Sequence, residues 1–200
     1  MLAKIAFNTL GVLIFLFVFW KRLREDYPTS QIFTTGLYMI VGISLAVIIS
    51  TKFFGPWGFW LSFTGAALGL TLGVLKFKLR FFETFEAGVT ATLPWLGAVF
   101  LSDSIEKSNT ASFIGFIVII LLIVLFYFLD AHYKKFTWYK SGRVGFTGLT
   151  TLGLLLLLRA AVAPIVPDML SFSGKYEAII SGILAFVSFL LVFNLAKTQS

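Results

Sequence analysis

The chain has no cysteine, one histidine (His132) and only 12% charged residues among 200. The missing cysteines exclude disulfide frameworks, thiolate zinc sites, iron–sulfur clusters and cysteine nucleophiles. A single histidine is too few for a histidine-based metal centre, so no metal and no cofactor is expected. Soluble domains are about 25% charged and about 45–50% apolar. Here 58% of the residues are hydrophobic and the mean hydropathy is +0.96, which excludes a soluble domain. A net charge of +7 would ordinarily raise the question of nucleic acid. The placement of the charges answers it differently.

A helix crossing a hydrocarbon core of about 30 Å needs roughly 20 apolar residues. Seven such runs stand between charged segments, at about 5–20, 32–50, 57–75, 85–101, 111–129, 145–162 and 178–195. They predict an all-α, polytopic integral membrane protein, a single transmembrane domain over residues 1–200. The fourth run contains Glu86, Thr90, Thr92 and Pro94, and the proline removes a backbone donor, so a kink is expected there.

Lys and Arg collect in short cytoplasmic loops, and the loops alternate as seven spans require. One side carries Lys21, Arg22, Arg24, Lys76, Lys78, Arg80, Lys134, Lys135, Lys140, Arg143 and Lys197; the other carries Lys4, Lys52, Lys107 and Lys175. The N-terminus is then outside and the C-terminus cytoplasmic. Trp20, Tyr27, Trp57, Trp60, Tyr133, Trp138 and Tyr139 flank these loops, as an aromatic belt would. A cleavable signal peptide over residues 1–20 is disfavoured, because no small-x-small site follows and Lys21-Arg22-Leu23-Arg24 would hold that end in the cytoplasm.

Within the spans, Gly65, Gly69 and Gly73 recur every four residues and place three side-chain-free positions on one helix face. Such a face packs against another helix; the alternative is that a lipid or substrate lies on it. Arg159 stands about 21 Å up the sixth span, where it could snorkel, meet a lipid phosphate or pair with Asp168, Glu177 or Asp103. Glu86 lies near the inner end of the fourth span, with Arg80 or Lys78 as its expected neutralising partner. Asp103, Glu106 and Lys107 read as an exposed outer loop. His132 follows Asp130 by two residues, a spacing that does not share a helical face, so a catalytic pair is not expected.

Between residue 27 and about residue 159 the order of these pieces resembles the prolipoprotein diacylglyceryl transferases, polytopic enzymes of the bacterial inner membrane with seven spans. The likeness rests on W-L-S-F-T-G-A-A-L-G-L-T-L-G-V-L at 60–75, the basic K-F-K-L-R-F-F-E-T-F-E-A segment at 76–87, and the basic loop before the sixth span. Ser62, Phe63 and Gly65 match the family's S-F-H-G-G motif, and Glu86-Ala87 stands at its D-A position. The motif histidine is replaced by Thr64, and Leu10 precedes Gly11 where the family has tyrosine. Phe100 and Asp103 fall at the arginine and asparagine of its G-R-x-G-N signature, and no Glu between Glu106 and Glu177 completes its R-x-x-x-E pair.

The resemblance implies a phospholipid substrate, phosphatidylglycerol, and a lipoprotein precursor whose cysteine thiol a base must activate while cations hold the leaving phosphate. Arg159, Asp103, Ser62, Thr64 and Glu86 are the candidate lipid-binding residues, with no catalytic residue assigned. Three readings stay open: a diverged lipid-modifying transferase, a non-catalytic component binding membrane lipid or a partner helix, and a small-solute transporter. The last is weakened by the lack of an internal repeat.

The basic alternation sets a first expectation. Reporter fusions after Ser30, Lys107 and Ser200 should report cytoplasm, exterior and cytoplasm, and a cytoplasmic signal at Lys107 would defeat the seven-span reading.

Overall fold

Runs of leucine, isoleucine, valine and phenylalanine longer than a soluble helix needs have one way to satisfy their backbone in hydrocarbon, which is to coil into helices. The computed structural model describes residues 2–139, 141–166 and 169–197, and among these it is helical with no strand. In chain order the helices are α1 (Leu2–Leu23), α2 (Thr29–Phe53), α3 (Gly58–Phe77), α4 (Phe81–Lys107), α5 (Thr110–His132), α6 (Phe146–Val162) and α7 (Glu177–Ala196). Six are long and apolar enough to cross a membrane; α6, at 17 residues, is shorter.

Local chemistry sets the boundaries. Lys78 and Ser108 end α3 and α4 in the left-handed conformation, and each donates its N–H back to the last turn. The Asn109 side chain caps α5 by accepting from the Ala111 and Ser112 N–H groups at 3.0 and 3.4 Å. Helix α4 continues through Pro94 and on to Lys107. Asp103, Glu106 and Lys107 therefore form its last turn rather than an exposed loop. Lys107 Nζ reaches Asp103 Oδ1 at 2.7 Å one turn back, which favours the extra helical residues.

Cross-helix contacts sort the bundle into two ends. At one, which carries the basic connections, Arg22 of α1 meets Glu86 of α4 and Asp130 of α5. At the opposite end, Trp60 of α3 and Arg159 of α6 meet Glu177 of α7. Helix α4 is central, with 13 of its 27 residues buried. It packs on α1 through Trp95, which lies against Gly11 and Phe15 and donates to Asn8 Oδ1 at 2.8 Å.

Helices α2 and α3 form a tight hairpin. Gly65 lies against the Gly42 carbonyl, Gly69 against the backbone of Tyr38 and Met39, and Gly73 against the Thr35 side chain, so the glycine face meets α2 rather than lipid. A Cβ at Gly65, Gly69 or Gly73 would come closer than 3.0 Å to an α2 atom. Helix α3 touches α4 at few positions, so the hairpin is joined loosely to the rest. Gly69→Leu should therefore lower the unfolding midpoint in detergent by about 5 °C or more, from an overpacking cost of about 1–3 kcal/mol. Leu72→Ala, on the exposed side of the same helix, should leave it almost unchanged.

Candidate functional site

At the basic end, Glu86 is the meeting point of three helices. Its Oε1 accepts from Arg22 Nη2 at 2.6 Å, and its Oε2 accepts from the Gly145 and Gly148 N–H groups at 3.0 and 3.4 Å, where α6 begins. A carboxylate there satisfies free donors and meets the positive end of the helix dipole. Gly145 has φ +106°, a conformation that disfavours any side chain, and a Cβ at Gly148 would press on the Glu86 backbone. Arg22 completes the cluster by donating bidentately to Asp130, at 2.6 and 2.5 Å. Beside it, Tyr133, Tyr139 and Phe146 stack together; Tyr139 donates to the Arg143 carbonyl at 2.8 Å, and burial pushes its phenol above the usual range.

Arg80 does not neutralise Glu86, because its guanidinium is held by Glu83 one turn on, at 2.9 Å. Arg22, from the other end of the sequence stretch, does so instead.

At the opposite end Arg159 is 5% exposed and Glu177 fully buried. Arg159 Nε donates to Glu177 Oε1 at 2.8 Å, and Nη1 and Nη2 donate to the hydroxyl and carbonyl of Ser171 at 3.0 and 2.9 Å. The guanidinium also lies 3.6 Å from the Phe59 ring centroid and 4.8 Å from that of Phe172. Glu177 accepts further from Trp60 Nε1, the Ser173 N–H and hydroxyl, and the Ser181 hydroxyl, at 2.7–3.1 Å. Every strong donor and acceptor of the pair faces another protein group. Of the three carboxylates open to Arg159 from the sequence, Glu177 is the partner; Asp103 is engaged elsewhere and Asp168 lies outside the described residues.

Between these ends runs a cavity of about 620 Å³ along the loose seam of α3 and α4. Met39 and Ile43 of α2, Phe63 and Ala66 of α3, and Val89 and Leu96 of α4 make its walls, and it opens sideways past the exposed Thr71 and Val99. Among the described residues no charged one lines it. A smaller cavity of about 140 Å³ lies on the other side of Arg159, against Phe100, Gly115 and Met169. Among the described residues no group of three His, Cys, Asp or Glu side chains could hold a metal ion.

No family model, curated protein or solved structure matches the chain. The site therefore has to be read from its own geometry.

The five candidate lipid residues are not gathered in one place. Ser62 lines the large cavity. Thr64 donates to the Trp60 carbonyl of its own helix at 2.8 Å. Asp103 is buried and accepts from Ser112 Oγ at 2.5 Å as well as from Lys107. Glu86 and Arg159 stand at opposite ends, each buried in an internal ion pair. His132 Nδ1 lies 2.8 Å from the Phe128 carbonyl, and its ring stacks on Phe128.

Sequence reasoning counted Arg22 among loop charges and Trp60 among belt aromatics. The available signal was Arg22 standing one turn past an apolar run in a chain whose spans hold few carboxylates. Phe59 and Ser171 carried no signal.

A buried ion pair broken on one side leaves an uncompensated charge, at a cost of about 3–5 kcal/mol. Glu177→Gln should therefore strongly destabilise the detergent-solubilised protein. The double variant Arg159→Met/Glu177→Leu should recover much of the loss, and thermal unfolding of the two proteins checks the contrast.

Proposed function

We propose that this is an integral membrane protein of the bacterial cytoplasmic membrane that binds a phospholipid, with an acyl chain held in the cavity between α3 and α4. The observation carrying the proposal is that cavity. It is apolar, it runs along helices of membrane-spanning length, and it opens sideways where lipid would surround the bundle. Its volume lies within the range of about 300–1,000 Å³ typical of small-ligand sites. With the basic connections in the cytoplasm, the Arg159–Glu177 end faces outward.

In the same reading the chain is a diverged relative of the prolipoprotein diacylglyceryl transferases that keeps a lipid cleft and uses it for binding. Transfer to a thiol needs a base and a phosphate-holding cation beside the lipid. Met39, Phe63, Ala66 and Val89 supply neither, and among the described residues the cavity lining has no carboxylate, histidine or cation. Glu86 and Glu177 have their oxygens committed to Arg22, Arg159 and the ends of helices. Binding without turnover is what this chemistry favours.

Ala66→Trp fills the middle of the cavity, whereas Leu121→Trp adds the same ring on an exposed face of α5. A phosphatidylglycerol carrying a diazirine in its acyl chain should label the parent and Leu121→Trp proteins on α3 and α4, and label Ala66→Trp several-fold less. Equal labelling of all three would remove the lipid reading.

A further inference from the structure

The hydroxyl groups of the cavity fall into two sets. Thr51, Thr71 and Thr92 each donate to a carbonyl of their own helix, at 2.8–3.0 Å, which leaves no proton for a ligand. Ser50 and Ser62 make no hydrogen bond among the described residues, although Ser50 is only 3% exposed. Neither oxygen is among the fully enclosed hydroxyls that lack a partner, so both stay open to the cavity with a proton to donate to a ligand that supplies the acceptor. Ser171 lines the same cavity and accepts from Arg159 through its oxygen, so its own proton is free as well.

These three serines share one end. Ser50 is in the last turn of α2, Ser62 is one turn into α3, about 6 Å from its start, and Ser171 follows α6. Phe81 and Phe85 line the other end of the cavity. A ligand with acceptors at one end and an apolar body is therefore oriented, acceptors toward the serines and body toward the phenylalanines.

The charge of the acceptor follows from the lining. Arg159, which is held against the cavity residue Ser171, is already paired with Glu177, and among the described residues no cation lines the cavity. A free carboxylate there would lose water without gaining a counter-ion, which is heavily disfavoured. A neutral ester carbonyl needs only hydroxyl donors. We infer that Ser50, Ser62 and Ser171 form a subsite for the ester carbonyls of an acylglycerol lipid entering from the leaflet opposite the basic loops. This inference rests on the lipid reading above and specifies which part of the lipid is recognised, at which end.

The test compares three probes on the purified full chain in nanodiscs by native mass spectrometry: diester phosphatidylglycerol, its diether analogue without carbonyls, and palmitate. The parent should retain the diester about tenfold better than the diether, the size expected for one or two lost hydrogen bonds. Ser50→Ala/Ser62→Ala, which keeps only Ser171, should bind the diester several-fold more weakly and lose most of its preference over the diether. It loses no bond within the protein, so its unfolding midpoint without lipid should match the parent. Equal retention of diester and diether by the parent, both blocked in Ala66→Trp, would overturn the subsite while leaving the cavity a lipid site. Preference for palmitate would also overturn it, since the recognised group would then be a carboxylate. Retention of neither lipid would overturn the lipid reading itself, and the subsite with it.

Discussion

A charge surrounded by hydrocarbon must find its counter-charge inside the protein, and this constraint organises the bundle around its shortest helix. At 17 residues α6 spans only about 25 Å, less than the hydrocarbon core. It is held by a carboxylate at each end. Glu86 of α4 takes the free N–H groups where α6 starts, and Glu177 of α7 takes the guanidinium of Arg159 near its finish. Ten of its residues are buried, and its exposed positions are confined to the last turns, Leu157 and Leu158 among them. Placement of α6 in turn fixes one wall of the cavity, through Leu152 and Leu155.

The two ion pairs differ in what they join. Arg22, Glu86 and Asp130 bind α1, α4 and α5, which already pack through large side chains such as Phe15, Phe19 and Trp95. Arg159 and Glu177 reach across to α3 through Phe59 and Trp60, and α3 has little other hold on that half of the molecule. The tight α2–α3 hairpin is consequently a unit whose attachment at one end depends on a stacked cation and one indole hydrogen bond. A seam closed by few contacts is where a bundle opens at least cost. It is also where the cavity lies.

The all-helical character and the apolar segments were legible because run length is a property of single segments, and six of the seven helices are long and apolar enough to cross a membrane. The glycine face was legible for the same reason: Gly65, Gly69 and Gly73 sit on one helix, and only their partner α2 had to be found in space. Partnership across the sequence was not legible. Glu86 has Arg80 and Lys78 close by in the chain, yet Lys78 ends α3 and Arg80 turns to Glu83, while the true partner is 64 residues away. Asp103 was read as loop because its neighbours are polar. The turn that ends at Ser108 adds residues to α4 and carries Asp103 inward.

Arg159 shows why isolation along the chain is a poor guide to exposure. With leucines before it and alanines after it, it has the sequence surroundings of a cation seeking lipid phosphate. The loop that follows α6 folds Ser171 and Phe172 back over it, and the first residue of α7 delivers Glu177. The cavity offers smaller and less conspicuous groups, the hydroxyls of Ser50 and Ser62 among its apolar walls. With Arg22, Glu86, Arg159 and Glu177 spent on holding helices together, recognition in the proposed site falls to uncharged donors, and specificity there depends on where hydroxyls stand rather than on net charge.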